Sequence, residues 1–185
     1  RDTNLDYSSV KFTDSDHQKK RLHSAVADFS DETKSLVAEL KKNAGNKEAE
    51  ILEGHLVMLE DPFMLEQMEE AIDNGSVAEA EVDSICMMFL NMFSVVDYEL
   101  TRQRASAVKD IRDSLLRILL GVKSVDISSV PKGSVLIAKD FTPSMTSQIN
   151  RENVSAIITE VGGVTSHSAI LARAMGIPAV LSVVN

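Results

Sequence analysis

From Thr13 onward the apolar positions fall on a helical period. Leu22, Val26, Phe29, Leu36, Val37 and Leu40 recur at spacings close to helical turns. They predict a helix capped by Thr13 or Ser15 and stopped at Asn43-Ala44-Gly45. Such a helix, ~28 residues long, spans ~42 Å. Asn46 opens a second helix on Ile51, Leu52, Leu56, Met58 and Leu59. Asp61 as cap and Pro62 at the first helical position restart the chain into Phe63, Met64, Leu65, Met68, Ala71 and Ile72, which ends at Asn74-Gly75. Ser76, with Glu79 in capping-box register, starts a third long helix on Val77, Ala80, Ile85, Met88, Phe89, Met92, Val95 and Val96. A fourth, from about Ala105 to Leu120, buries Val108, Ile111, Leu115, Leu116, Ile118 and Leu119 and stops at Gly121. These long patterns, one broken at Pro62 and all joined by short connections, predict an antiparallel helical bundle over residues 13–123.

Past Gly121 the apolar period shifts from helical toward alternating, the clearest boundary in the chain. Residues 122–131 read as a connector and Ser134 to Ala138 as a short buried strand. Thr142-Pro143 caps a helix through Ile149. Val154 to Thr159 is a second strand, Ser166 to Met175 a helix, and Ala179 to Val184 a last strand. Strands alternating with short helices predict an α/β layer over residues 124–185. Roughly 60 residues is thin for such a domain to bury a full core, so pieces are expected to be missing at both ends. Residues 1–12 carry no strong periodicity and read as a lead-in belonging to the α/β domain, with an extended piece at Tyr7 to Phe12.

Composition narrows the function. The chain has 185 residues, 44% of them hydrophobic, with no apolar run long enough to span a bilayer and no visible signal peptide. It does not begin with Met, which suggests a fragment. Its one cysteine, Cys86, cannot form an internal disulfide, which fits a reducing cytoplasm. Cys86 lies in an apolar helical stretch and reads as a core residue. Residues 1–123 hold 24 acids against 15 bases, a balance of −9, while residues 124–185 hold 4 of each. Between Glu48 and Glu99 stand 14 acids and no Lys or Arg. That argues against nucleic acid as a partner and suits either a basic protein partner or a solvated acidic surface. Six of the eight methionines lie between Met58 and Met92 and are expected mostly in the core, with a few adaptable contacts beside the acids.

The strongest candidate chemistry lies where the Val154 strand turns into the Ser166 helix. Gly162 and Gly163 permit the sharp turn, and Ser166 can cap the helix. His167 then falls in the first turn, at the positive end of the dipole. That is a poor place for an imidazolium and a good one for an anion, so a phosphate carried on the ring satisfies both. The alternative is an ordinary surface or packed histidine.

Gly162-Gly163-x-Thr165-Ser166-His167-x-Ala169-Ile170-x-Ala172-Arg173, followed by Gly176-Ile177-Pro178-Ala179, resembles the phosphohistidine signature of the phosphoenolpyruvate-utilising enzymes. The long helical insert before it, with Glu50 to Asp61, Arg104 to Ile111 and Asp140 to Thr146, is similar to Enzyme I of the sugar phosphotransferase system rather than to the dikinases. The resemblance implies an α/β phosphohistidine (swivelling) domain, incomplete here, with an inserted all-α bundle. It implies that His167, through Nε2, carries phosphate from phosphoenolpyruvate to the phosphocarrier HPr. Thr146 would orient the other ring nitrogen, unless its hydroxyl is satisfied within its own helix. Thr165 and Ser166 would bond the phosphate, with Ser166 equally able to serve only as a cap. Arg173 would balance phosphate charge or pair with a carboxylate. For HPr docking the resemblance points to Glu53, His55, Val57, Met58, Asp61, Met64 and Arg104. His55 has no second ligand at a useful spacing for metal. No cofactor is expected on this chain, because the barrel that holds phosphoenolpyruvate and Mg²⁺ in the family is absent. Two other readings stay open: the swivelling domain of a pyruvate phosphate dikinase or phosphoenolpyruvate synthase, and a non-catalytic acidic docking module.

Overall fold

The computed structural model describes residues 5–42, 46–94, 99–164 and 166–183. It is mostly helical with a small parallel sheet, and it divides into two compact units at Ser124/Val125. The larger unit holds α1 (Ser15–Lys42), α2 (Asn46–Leu59), α3 (Pro62–Asp73), α4 (Ala78–Ser94) and α5 (Glu99–Leu119). α1 turns Leu22, Ala25, Phe29 and Val37 inward at helical spacing. The first three meet Met64, Met68 and Ile72 of α3, Val82 and Cys86 of α4, and Val108, Ile111, Leu115 and Leu116 of α5. Each fully buried Leu or Ile there contributes roughly 2 kcal/mol. Asp61 accepts a bond from the Phe63 N–H at 3.0 Å and Pro62 stands at the first position, which is why the chain restarts there. α5 begins six residues before the sequence-based start at Ala105 and ends at Leu119, two residues before Gly121, whose φ of +64° suits glycine.

Other local expectations are revised. Glu79 makes no capping box with Ser76: it is fully buried and paired with Arg21 of α1. The Ala78 N–H is capped instead by Gln18 Oε1 at 3.1 Å, from another helix. A buried carboxylate gains more from a guanidinium than from one backbone amide. Of the clustered methionines, Met64 and Met68 are fully buried but Met87, Met88 and Met92 are exposed. Asn43-Ala44-Gly45, Val95 and Val96 lie outside the described residues. Residues 5–12 belong to the helical unit, against the expectation that the lead-in joins the α/β domain. Leu5 and Tyr7 pack on its core, and the Tyr7 hydroxyl donates to Asp83.

Asp83 also accepts from Arg112, which reaches Asp113 at 2.6 Å. The bond to Asp83, with burial, pushes the Tyr7 phenol up to about 12. Burial works against the Asp83 carboxylate, yet the Tyr7 and Arg112 bonds hold it below its usual value. Burial also pushes the Cys86 thiol up to about 12, which leaves it a packed, inert side chain.

The smaller unit carries β1 (Ser134–Ala138), α6 (Pro143–Thr146), β2 (Val154–Thr159), α7 (His167–Met175) and β3 (Ala179–Val180). The strands lie in the order β1-β2-β3, all parallel. Ile157, Phe141, Leu171, Ala172 and Ile177 form its core. α6 is one short turn, three residues shorter than expected. Thr142 takes the cap position without a side-chain bond to a helix amide; its hydroxyl lies 3.2 Å from Ser144 Oγ instead. β3 stops at Val180 because Ser182 adopts φ 59°, outside strand geometry; Val184 lies outside the described residues.

Removing the Arg21 side chain strands the Glu79 carboxylate in the core. Arg21→Ala is expected to cost about 3 kcal/mol, read by urea unfolding. A phenol near 12 when folded and about 10 when unfolded gives stability that is full below about pH 10 and lost as pH rises toward 12. Tyr7→Phe should flatten the decline in unfolding free energy between those two values.

Candidate functional site

Two places in the structure gather the residues singled out above. The first is the start of α7. Gly162 has φ +108°, which disfavours any other residue, and a Cβ there would sit tightly at 3.2 Å from Ser166 Oγ. Gly163 meets neither constraint; its carbonyl accepts the Ser166 N–H at 2.9 Å and closes the turn. Ser166 is the N-cap, its Oγ accepting from the Ala169 N–H at 3.2 Å. His167 is therefore the first residue of a nine-residue helix, half-buried at the positive end of its dipole. Ser168, fully turned inward, donates to Asp140 at 3.4 Å and ties the loop before α6 to α7.

That loop brings Thr146 to the ring. Thr146 Oγ1 lies 2.9 Å from His167 Nε2 and 3.1 Å from the Pro143 carbonyl oxygen. The hydroxyl has one proton. When it goes to Pro143, Nε2 must be the protonated nitrogen that donates to Thr146. The expected partnership is present, but on the opposite nitrogen: Thr146 holds Nε2, the atom expected to carry phosphate. Arg173 donates to the Val164 carbonyl oxygen and braces the glycine turn, and among the described residues it pairs with no carboxylate. Ser182 braces it from the other side by donating to the Gly162 carbonyl. Neither brace has a sequence signal beyond the motif itself. Thr165 lies outside the described residues.

The second place is a groove of about 700 Å³ in the helical unit. Val57, Met58, Asp61, Met64 and Arg104 of the expected docking set line it. So do Phe63 and Phe89, which the helical period had assigned to packing, and Phe93, which it had not singled out; Phe63 is half-exposed and stands edge-on to Phe89, ring centroids 6.3 Å apart. The lining combines these apolar and aromatic side chains with the charged Lys47, Glu50, Asp61 and Arg104. Two expected docking residues are elsewhere. Glu53 pairs with Lys41 of α1. His55 is fully buried, its Nδ1 3.6 Å from Asp110 Oδ2. The helical period explains the burial of His55, since it and Leu52 sit on α2's inner face and Val57 on its outer one. Among the described residues no group of three or more His, Cys, Asp or Glu side chains could hold a metal ion, and no helix is long and apolar enough to cross a membrane.

Comparisons with known proteins agree with this geometry. Residues 2–104 match the family described as PEP-utilising enzyme, N-terminal, and residues 130–185 the PEP-utilising enzyme mobile domain. The chain is 38% identical to the phosphoenolpyruvate-protein phosphotransferase of Listeria innocua and 35% identical to that of Bacillus subtilis. Each match covers 96% of this chain but 31% of the relative, so the chain spans under a third of the length of these proteins. Among solved structures it is similar to an Enzyme I protein determined in solution by NMR, at 32% identity and TM-score 0.76, over 91% of this chain and 68% of that one. The N-terminal domain of Enzyme 1 - Nitrogen, at 22% identity and TM-score 0.66, shares the fold.

Thr146→Val keeps the shape and removes the hydroxyl. Its expected cost is about 1 kcal/mol in urea unfolding. The ring ¹⁵N resonances of His167 should move with it; an unchanged ring spectrum would show that the bond is not made in solution.

Proposed function

This chain belongs to the PEP-utilising enzymes, and we propose that it carries the phosphohistidine step of an Enzyme I relay from phosphoenolpyruvate to HPr. The smaller unit is then the swivelling phosphohistidine domain and the larger unit its inserted HPr-binding bundle. The observation that carries the reading is His167 at the first position of a capped helix, its ring held at 2.9 Å by Thr146. Helix amides and dipole favour the negative charge that phosphorylation brings to this ring. A neutral imidazole nitrogen attacks phosphorus, the enol oxygen leaves with the electron pair of the broken P–O bond, and enolpyruvate departs to become pyruvate. In the second step a histidine nitrogen of HPr attacks the same phosphorus and the P–N bond to His167 breaks. Covalent capture splits one transfer into two, and the protein's task in each is positioning.

Which nitrogen acts follows from Thr146. Attack by Nε2 requires the ring to leave the Thr146 hydroxyl, which can fall back on the Pro143 carbonyl. Ser166 acts as the helix cap, and Thr165 is assigned to the phosphate from the motif. Arg173 acts through the turn it braces rather than as a counter-charge. HPr is assigned to the groove, where Phe63, Phe89 and Phe93 offer an apolar seat and the acid-rich helices attract a basic surface. The resemblance places phosphoenolpyruvate and Mg²⁺ on a separate barrel, and residues of this chain are given no part in holding either. A cytoplasmic setting accords with the single reduced, buried cysteine.

Phospho-HPr labelled at phosphorus should phosphorylate the folded chain reversibly, with the label on His167 and absent from His167→Ala. Phosphorus NMR with ¹⁵N-labelled ring then reads the acceptor nitrogen. Failure of the folded chain to take label would overturn the assignment. Transfer at sub-saturating HPr should slow as salt rises from ~0.01 to ~1 M.

A further inference from the structure

Beneath the groove lies a polar pair whose position exceeds what stability requires. His55 on α2 is fully buried and Asp110 on α5 is 1% exposed, with Nδ1 and Oδ2 3.6 Å apart. Gly54, Val57 and Met58, all within a turn of His55, form one wall of the groove. Arg104 and Ala107, two turns and one turn before Asp110, form the facing wall. Each of the two facing walls thus carries half of the pair on its hidden side. A Leu or Phe at both positions would pack at least as well, because taking ionisable groups out of water is costly. What a polar pair adds is a set spacing and register between the two helices that bear it. Beside His55, Gly54 leaves open space in the wall where any side chain would stand, although glycine weakens a helix interior by about 1 kcal/mol relative to alanine.

We propose that the His55–Asp110 pair is a positioning element that fixes the spacing of α2 and α5 and thereby the fit of HPr in the groove. The inference rests on the docking assignment above. His55 and Asp110 touch neither phosphate nor partner; they act through the walls. The expectation that His55 contacts HPr is thereby replaced by a role one layer below.

The test is single-turnover phosphorylation of His167 by phospho-HPr, read as a half-saturating concentration and a plateau rate. His55→Leu should raise the half-saturating concentration about tenfold and leave the plateau rate within about twofold. His55→Gln, which keeps a polar group toward Asp110, should recover most of the loss. Leu22→Ala, a core change on α1, supplies the control for lost stability. If Leu22→Ala with an equal drop in Tm weakens HPr equally, or if His55→Leu lowers only the plateau rate, the inference is overturned. Should His55→Leu fail to fold, Asp110→Asn is read by the same criteria. Val57→Asp, on the groove surface, separates the two readings. If it raises the half-saturating concentration while His55→Leu does not, only the positioning role falls; if it has no effect, the docking assignment falls and the positioning role with it.

Discussion

One hydroxyl governs the chemistry of the smaller unit. Ser166 Oγ receives the Ala169 amide and so decides where α7 begins. That choice makes His167 the first helical residue, and it crowds the position where any other residue at Gly162 would put its Cβ. The glycine turn, the cap and the imidazole are therefore one arrangement. Moving the start of α7 by one residue would rotate His167 by about 100° around the helix axis and carry it away from Thr146. The Arg173 and Ser182 bonds to the carbonyls of Val164 and Gly162 hold the turn against such a slip.

The helical unit is organised by a different economy. Its apolar core supplies most of the burial, but the register between helices is written in polar contacts that cross it. Gln18 caps α4 from α1, Arg21 meets Glu79, Tyr7 reaches Asp83, and His55 faces Asp110. Hydrophobic packing tolerates sliding; a guanidinium over a buried carboxylate does not. These contacts join residues from 55 to 76 positions apart in sequence, so the groove between α2 and α5 depends on residues distant from it in the chain.

Much of this was legible beforehand. The long helical periods, the restart at Asp61-Pro62, the strands at Ser134 and Val154 and the helix opened by Ser166 all rest on local physics, and local physics is what a sequence displays. Long-range competition was not legible. Ser76 and Glu79 satisfy the capping-box spacing, yet Arg21 outbids the amide for the carboxylate. His55 reads as a docking residue by resemblance, but its place on α2's inner face turns it into the core. The pairing of Thr146 with His167 was implied by resemblance, while the nitrogen it selects depends on a side-chain torsion that no spacing encodes. Phe63 and Phe89 looked like packing residues because an aromatic at helical spacing is the same signal whether its neighbour is protein or solvent.

The buried thiol has a practical side. Cys86 is the sole sulfhydryl of the chain, wholly enclosed and far from its thiolate form at neutral pH. Maleimide dyes would thus find no native target. Cysteines introduced at the exposed Ser84 of α4 and Ser155 of β2 would take a fluorophore pair without background, giving a spectroscopic ruler for the separation of the two units.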